Sequence, residues 1–187
     1  MTGKGKIILD LCGGTGAWSQ PYREAGYDVR IVDILYGQDV RTYVPPPRVH
    51  GVLASPPCQH LAASGARWWK QKGERALLEA LSIVDACLRI IMVTKPKWWA
   101  LENPVGRLSK YLGRPRLIFQ PWEYGDPWCK RTCVWGEFNI PEKRPVRPSD
   151  NPAIREWVWR MPPCPDRSLR RSIIPPGFAR AFFEANP

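Results

Sequence analysis

The start of the chain carries the pattern that most restricts how this protein can fold. Residues 6–11 contain an apolar run that predicts a strand, and residues 13–16 form a glycine-rich turn. Residues 18–25 predict a helix, and residues 29–34 predict a second strand with Asp33 near its end. In doubly wound sheets this arrangement holds a nucleotide, because the glycines admit the ligand close to the backbone and the acid accepts ribose hydroxyls. No Gly-Lys-Ser/Thr follows the turn, so a nucleoside is expected rather than a polyphosphate.

Strands and helices alternate along the rest of the chain. The other predicted strands are 49–54, 98–101 and 131–135, and the other predicted helices are 74–94, 108–112 and 177–185. Apolar residues recur at helical spacing in the longest helix, at Leu77, Leu81, Val84, Leu88 and Ile91. The alternation predicts an α/β fold with a doubly wound, mostly parallel sheet.

The length of 187 residues predicts one domain that covers residues 1–187. Residues 140–169 are basic and rich in proline and tryptophan. We expect this stretch to be an insertion beside the sheet that lacks a core of its own.

The charge of the chain points to a polyanionic partner. Lys and Arg number 28 against 17 Asp and Glu, which gives a formal net charge of +11. Basic residues are dense between positions 130 and 171 and alternate with Trp135, Trp157 and Trp159. Cations that neutralise phosphates, beside rings that stack on bases, favour a nucleic-acid surface. The alternative is a solvated surface that happens to be basic.

Other features restrict the class of protein further. The sequence contains no apolar run long enough to span a membrane and no signal-peptide pattern, so a soluble, intracellular protein is expected. Six Cys need not form disulfides in such a protein, and most are expected to be small buried residues. Cys129 and Cys133 have no second pair at zinc-ligand spacing, and the chain has only two His. No metal site is predicted.

Two predicted strand ends carry the residues best suited to chemistry. Cys58 follows strand 49–54 and Glu102 follows strand 98–101, so both are expected at the carboxyl edge of the sheet. A thiolate is a strong nucleophile, and a protonated carboxyl group nearby can donate a proton. Alone, each residue is better explained as structural, the thiol buried in a proline turn and the carboxylate on the surface. Together, after a nucleotide-binding turn, they favour nucleophilic chemistry on cytosine.

The order of motifs resembles that of the DNA cytosine-5 methyltransferase family, particularly its small orphan enzymes from phages and prophages. Residues 10–16 are similar to the first cofactor-binding motif, and 56–59 (Pro-Pro-Cys-Gln) to the nucleophile motif. Glu102-Asn103 is similar to the Glu-Asn-Val motif, and residues 125–131 to the arginine-containing motif. Residues 172–176 are similar to the last motif.

The resemblance implies a Rossmann-like methyltransferase fold, S-adenosylmethionine as cofactor and double-stranded DNA as substrate, with the target cytosine flipped out. It implies catalytic roles for Cys58, Glu102 and Arg131. It implies cofactor contacts from Asp10, Leu11, Cys12, Gly13, Gly14, Gly16, Trp18, Asp33, Ile34, Asp39, Val40, Pro57 and Ser172. Ser55, Gln59 and Asn103 are then expected at the substrate, with Arg67 and Trp68 closing over the flipped base. A monomer in the cytoplasm of a bacterium or a phage-infected host cell is expected.

The sequence also departs from the family pattern. Asp33 and Asp39 are only six residues apart, which leaves no room for the helix and strand that the family has between them. Arg171 stands where the family has Asn, and the Gln of the arginine-containing motif is missing. The large target-recognition domain is reduced to residues 140–169. Alternatives to the DNA enzyme are an RNA cytosine methyltransferase, a catalytically inactive DNA-binding relative and a basic adaptor.

Overall fold

The structure, a computed structural model, describes residues 3–187. Its strands are β1 Ile7–Leu11, β2 Asp28–Val32, β3 Val49–Ala54, β4 Trp98–Pro104, β5 Leu117–Phe119 and β6 Thr132–Glu137. Its α-helices are α1 Gln20–Glu24, α2 Trp69–Thr94, α3 Ser109–Leu112, α4 Pro152–Arg155, α5 Trp157–Arg160, α6 Arg167–Ser172 and α7 Pro176–Ala185. Short 3-10 helices lie at Ile34–Tyr36, Ala63–Trp68 and Pro121–Tyr124.

The strands form one sheet in the order β2-β1-β3-β4-β6-β5. β1 to β4 are mutually parallel, and β6 pairs antiparallel with both β4 and β5. Only β6 therefore runs against the others, which confirms the predicted Rossmann-like, mostly parallel α/β sheet. The chain leaves β1 for β2 on one side and then crosses to β3 on the other. A ligand crevice is expected at that reversal, outside the carboxyl ends of β1 and β3.

Side-chain alternation along the strands separates two apolar layers. Leu9 and Leu101 belong to a cluster that includes the buried side of α2. Ile8 and Leu53 face the opposite way, into an aromatic cluster completed by α1 and α7. Because strand side chains alternate between faces, helices cover both sides of the sheet, and the predicted doubly wound arrangement is confirmed.

Gly51 shows why a glycine interrupts the buried run of β3. A Cβ at this position would lie 2.2 Å from the Trp98 ring on the neighbouring strand. Any side chain there would displace the indole, so the close packing of β3 against β4 requires glycine. The register opposes Gly51 to Trp98 and Ala54 to Leu101.

Several element boundaries differ from the sequence prediction. β4 extends to Pro104, so Glu102 and Asn103 lie inside the strand, where only β6 still pairs with them. Helix 18–25 begins two residues later, at Gln20. The start of the long helix near residue 74 agrees with the break in α2 at Gly73, where φ is 72°. β5 was not predicted, because a three-residue strand has no readable alternation.

The insertion, residues 140–169, contains α4, α5 and the start of α6. Val158 and Met161 are its buried apolar residues, and the Trp157 ring packs edge-on against Trp128. The Cys129 amide donates to the Arg155 carbonyl oxygen. The insertion therefore packs on the loop that precedes β6. Within residues 3–187, no helix is long and apolar enough to cross a lipid bilayer.

Candidate active site

The loop after β3 carries the predicted nucleophile at the carboxyl edge of the sheet. Asn103, fully buried on β4, donates its Nδ2 hydrogen to the Pro56 carbonyl oxygen at 2.9 Å. The Leu61 and Ala62 amides both donate to the Cys58 carbonyl oxygen, which closes the turn. β4 thus holds the turn that follows β3, because breaking the buried Asn103–Pro56 hydrogen bond would leave polar groups unpaired.

Cys58, in the loop after β3, and Glu102, near the end of β4, interact electrostatically. Burial raises the pKa of the half-buried Cys58 thiol, and the Glu102 carboxyl raises it further. Lys130 and Arg171 act in the opposite direction. One acidic and two basic side chains therefore act on the thiol, and the charges of these side chains influence whether the thiol ionises.

Glu102 is in the environment that a proton donor requires. Its side chain is 5% exposed, and Oε1 has no hydrogen-bond partner within residues 3–187. Burial raises the pKa of this carboxyl, and the Lys130 ammonium opposes the rise. A buried acid held near its protonated form can donate a proton to a bound base.

Lys130 is the residue that sequence reasoning missed. It is buried, and its Nζ lies 3.5 Å from the Ile173 carbonyl oxygen. The predicted catalytic residue Arg131 is exposed, and its role remains a prediction. β6 pairs Val134 with Glu102, so once this pairing is known, alternation puts the even-numbered positions that lead into the strand on the face of Glu102.

The glycine turn, residues 13–16, follows β1, so it lies next to the loop after β3 at the point where the strand order reverses. Cys12, Gly14 and Gly16 all adopt positive φ, at 53°, 53° and 73°. A Cβ at Gly13 would lie 2.5 Å from the Asp10 carboxyl carbon. Only glycine permits that approach, so the turn wraps tightly around the end of β1.

Asp33 follows β2 directly and binds the glycine turn. Its carboxylate accepts the Gly14 amide hydrogen at 2.9 Å and the Leu35 amide hydrogen at 2.9 Å. The Tyr36 hydroxyl donates to the Gly14 carbonyl oxygen. The predicted ribose-binding acid thus lies against the predicted cofactor turn and retains acceptor capacity for a hydroxyl.

Asp10 and Trp18 place unsatisfied polar atoms beneath the same turn. Asp10 is fully buried; Ser19 donates its hydroxyl hydrogen to one carboxyl oxygen, while Oδ1 has no partner within the described residues. Trp18 Nε1 is likewise buried without a partner there. Burial raises the pKa of Asp10 to about 6, although the Ser19 hydrogen bond lowers it. Buried polar atoms in native proteins nearly always find partners, so these two mark a place where a ligand can supply them.

The crevice itself is nearly closed. It holds a cavity of about 20 Å³, whereas small-molecule sites usually measure about 300–1,000 Å³. Its lining consists of residues from the glycine turn, the β3 loop and the segment after α6: Cys12, Gly13, Thr15, Ala17, Trp18, Ser55, Ser172, Ile173 and Ile174. Leu169 of α6 lies over the turn, so close that a Cβ at Gly14 would be 3.2 Å from its Cδ1. A nucleoside would fit only after α6 moved.

A larger cavity, of about 390 Å³, lies at the opposite edge of the sheet. It contains none of the predicted site residues and is lined by Leu88, Trp99, Leu112, Arg114, Arg116, Trp135 and Gly136.

The remaining predicted cofactor residues are placed unevenly. The side chains of Leu11 and Val40 are buried in the core, which leaves only their backbone for a ligand. Asp39 is paired with Arg41, whose guanidinium donates to both carboxylate oxygens. Ile34 is 75% exposed beside the glycine turn, where a flat ring could cover it. Pro57 and Ser172 are exposed.

The predicted substrate residues lie around the nucleophile turn. Ser55 lines the glycine crevice. Gln59 reaches α6, with Nε2 at 3.5 Å from the Ser168 hydroxyl oxygen. Arg67 lies over the Trp68 ring at 5.1 Å, and both side chains are exposed. The structure therefore brings Ser55, Gln59, Asn103 and Cys58 together, and leaves the Arg67–Trp68 pair on the surface.

Comparisons with known proteins do not assign the chain to a family. No protein-family model and no curated protein matches it. Among 75 matching chains of solved structures is a protein from an E. coli prophage that is provisionally described as a DNA modification methyltransferase. It is 16% identical with a TM-score of 0.46, and the match covers 76% of this chain and 53% of that one. The chain thus spans about half the length of that structure.

The raised pKa of Asp10 makes stability depend on pH. The folded state binds this proton more tightly than the unfolded state, so the stabilisation is complete below pH 3.8 and is lost as pH rises through about 6. Asp10→Asn removes this loss. Urea unfolding is expected to show the wild type losing about 2 kcal/mol relative to the variant between pH 4 and 7.

Asp28→Asn is the control for this experiment, because Asp28 is a surface carboxylate paired with Arg30. Its pH profile should follow that of the wild type. An Asp10→Asn profile parallel to the wild type would show that Asp10 is not perturbed.

Proposed function

We propose that this protein is an S-adenosylmethionine-dependent DNA (cytosine-5)-methyltransferase with Cys58 as nucleophile. The observation that carries the proposal is the electrostatic interaction of Cys58, in the loop after β3, with the buried Glu102 carboxyl on β4, whose Oε1 has no hydrogen-bond partner within residues 3–187. Their position next to a glycine turn at the sheet reversal supports a nucleoside-type donor. The motif order described above supports cytosine as the target.

Cytosine chemistry at carbon 5 needs both groups, because the ring carbon is too weak a nucleophile unaided. The Cys58 thiolate adds to carbon 6, and protonated Glu102 donates its proton to ring nitrogen 3. The electron pair released toward carbon 5 makes that atom nucleophilic. Carbon 5 would then bond to the donor's methyl group as the methyl–sulfur bond breaks, and the proton on nitrogen 3 would return to Glu102. Loss of the carbon 5 proton to water and expulsion of the Cys58 thiolate then restore the aromatic ring.

Burial raises the pKa of the Cys58 thiol, and two neighbouring cations partly offset that rise. Lys130 and Arg171 both lower the pKa of the thiol. Glu102 raises it only while the carboxyl is ionised, and protonation of Glu102 removes that repulsion. Protonation of Glu102 therefore has two effects: it lowers the pKa of the Cys58 thiol, and it supplies the proton for nitrogen 3 of cytosine. The proton of the thiol leaves to solvent.

The residues around the glycine turn suit S-adenosylmethionine, which supplies an electrophilic methyl group when bound. Asp10 Oδ1 and Trp18 Nε1 offer an acceptor and a donor without partners within residues 3–187. Asp33, which binds the glycine turn, is the proposed acceptor of ribose hydroxyl hydrogens. The fit requires that Leu169 leave its position over Gly14.

Nucleic acid as substrate is supported by the charge of +11 and by the tryptophans among the basic residues of the insertion. Carbons 5 and 6 of cytosine are shielded inside a duplex, so the target base must leave the stack. DNA rather than RNA rests on the family resemblance. The small insertion, residues 140–169, is the proposed target-recognition region.

Substitution of the paired residues tests the proposal. Cys58→Ser should lower methyl transfer to DNA by about 1,000-fold or more, because a hydroxyl is a poor nucleophile at neutral pH. Glu102→Gln should lower it by about 100- to 10,000-fold, since the amide has no acidic proton. The measurement is incorporation of labelled methyl groups into DNA and into RNA.

Glu137→Gln is the control, because that carboxylate is exposed at the end of β6, opposite the start of β4 and away from the Cys58 turn. Its activity should equal that of the wild type. Full activity of Cys58→Ser would refute the nucleophile, and methylation of RNA alone would replace the DNA substrate.

The closed crevice leads to a second test. Leu169→Ala removes the side chain over Gly14 and should shift the protein toward an open crevice. Calorimetry is expected to show S-adenosylmethionine binding about 3- to 10-fold more tightly, because less closure must be reversed. Leu78→Ala, at a residue 66% exposed on α2, should leave affinity unchanged. Unchanged or weaker binding by Leu169→Ala would show that α6 does not limit access.

A further inference from the structure

The nucleophile turn is joined along one side to the loop that follows β4. The Ala63 amide donates to the Val105 carbonyl oxygen, and the Arg107 amide donates to the Leu61 carbonyl oxygen, both at 2.9 Å. Ala62 and Gly106 form an antiparallel bridge between these bonds. The segment after Glu102 and Asn103 thus pairs with the segment after Cys58, although sequence motifs end before it.

The Arg107 side chain adds to this junction. Its Nε donates to the His60 carbonyl oxygen at 2.7 Å. Its guanidinium lies over the Trp69 ring at 4.5 Å, within the range of a cation–π contact. Within residues 3–187, Arg107 forms no ion pair with an acid. Its charge therefore serves the turn and not a surface carboxylate.

Gly106 allows the two segments to approach this closely. A Cβ at Gly106 would lie 2.0 Å from the Leu61 carbonyl oxygen and 2.9 Å from the Ala62 Cα. These are backbone atoms that cannot rotate away, so any other residue would push the segments apart.

We propose that Gly106 and Arg107 form a clasp that positions Cys58 relative to Glu102. The clasp binds the carbonyl oxygens of His60 and Leu61, and the Leu61 amide in turn binds the Cys58 carbonyl oxygen. Arg107 acts through this chain of bonds and is a positioning residue. The inference deepens the proposed function and rests on it.

The physical reason is geometric. On its other side the turn is held by the Asn103–Pro56 bond, which fixes the residues before Cys58. The clasp fixes the residues after Cys58. The contacts on both sides of Cys58 therefore come from β4, which carries Glu102, and from the loop directly after it. Reaction between groups on two strands tolerates little displacement, and a shift of about 1 Å can cost about 100-fold in rate.

Arg107→Gln in the full-length protein tests the clasp, because it removes the charge and the fork of donors. We expect kcat for methyl transfer to fall by about 10- to 100-fold, with KM for DNA changed by less than about 3-fold. We expect the loosened turn to expose the thiol, so that alkylation of Cys58 by iodoacetamide, followed on its peptide by mass spectrometry, accelerates by about 10-fold. Arg107→Lys keeps the charge, so its kcat and its alkylation rate should lie between those of the wild type and Arg107→Gln.

Arg116→Gln is the matched control. The Arg116 Nε donates to the Phe138 carbonyl oxygen at 2.9 Å, and its guanidinium lies over the Phe138 ring at 5.6 Å. It has the same kind of contacts at the opposite edge of the sheet, so alkylation of Cys58 and kcat should remain as in the wild type. Gly106→Ala provides an independent variant with Arg107 intact, and should reproduce the faster alkylation.

The outcomes separate the clasp from the proposed function. Faster alkylation in both clasp variants, with no methyl transfer by the wild type, would support the clasp and refute the enzyme. Unchanged alkylation and kcat with a raised KM for DNA would overturn the clasp and make Arg107 a nucleic-acid contact. Equal effects of Arg107→Gln and Arg116→Gln would also overturn it.

Discussion

The burial of Glu102 beside the Cys58 turn is the constraint on which the rest of the site depends. A carboxyl group that is 5% exposed and has a partnerless oxygen within residues 3–187 lowers stability unless something compensates for it. Lys130 offsets part of the cost, and protonation offsets more. The sheet holds this costly group in place with antiparallel pairing to β6 and with the neighbouring Asn103–Pro56 bond. A carboxylate with only a structural role would destabilise the fold less at the surface. The buried position instead suits a proton donor, because burial favours the protonated form.

The glycine-turn crevice and the Cys58 turn lie side by side at the sheet reversal, and residues of α6 approach both. On one side, Leu169 lies over the glycine turn. On the other, Ser168 approaches Gln59, and Arg171 lowers the pKa of Cys58. A displacement of α6 would therefore open the proposed donor site and change the charge around the nucleophile together.

Much of the fold and part of the site could be predicted from sequence, for physical reasons. Apolar runs and glycine turns fix strands such as β1 and β3 locally, and strand ends locate Cys58 and Glu102. Lys130 was missed because its role depends on which way β6 faces, and that is set by pairing with β4. The closure by Leu169 was also missed, since residues 167–172 carry no apolar periodicity that would predict where α6 packs.

Covalent trapping on modified DNA detects the bond between Cys58 and cytosine itself. In DNA that contains 5-fluorocytosine, the fluorine at carbon 5 blocks the final elimination, so the attacking sulfur stays attached. With S-adenosylmethionine present, we predict a complex of one protein and one DNA strand that survives denaturant. In it, Cys58 is bonded to the fluorocytosine, and the DNA strand carries one additional methyl group. Methylation of ordinary DNA without such a complex, or a complex attached at another cysteine, would contradict it.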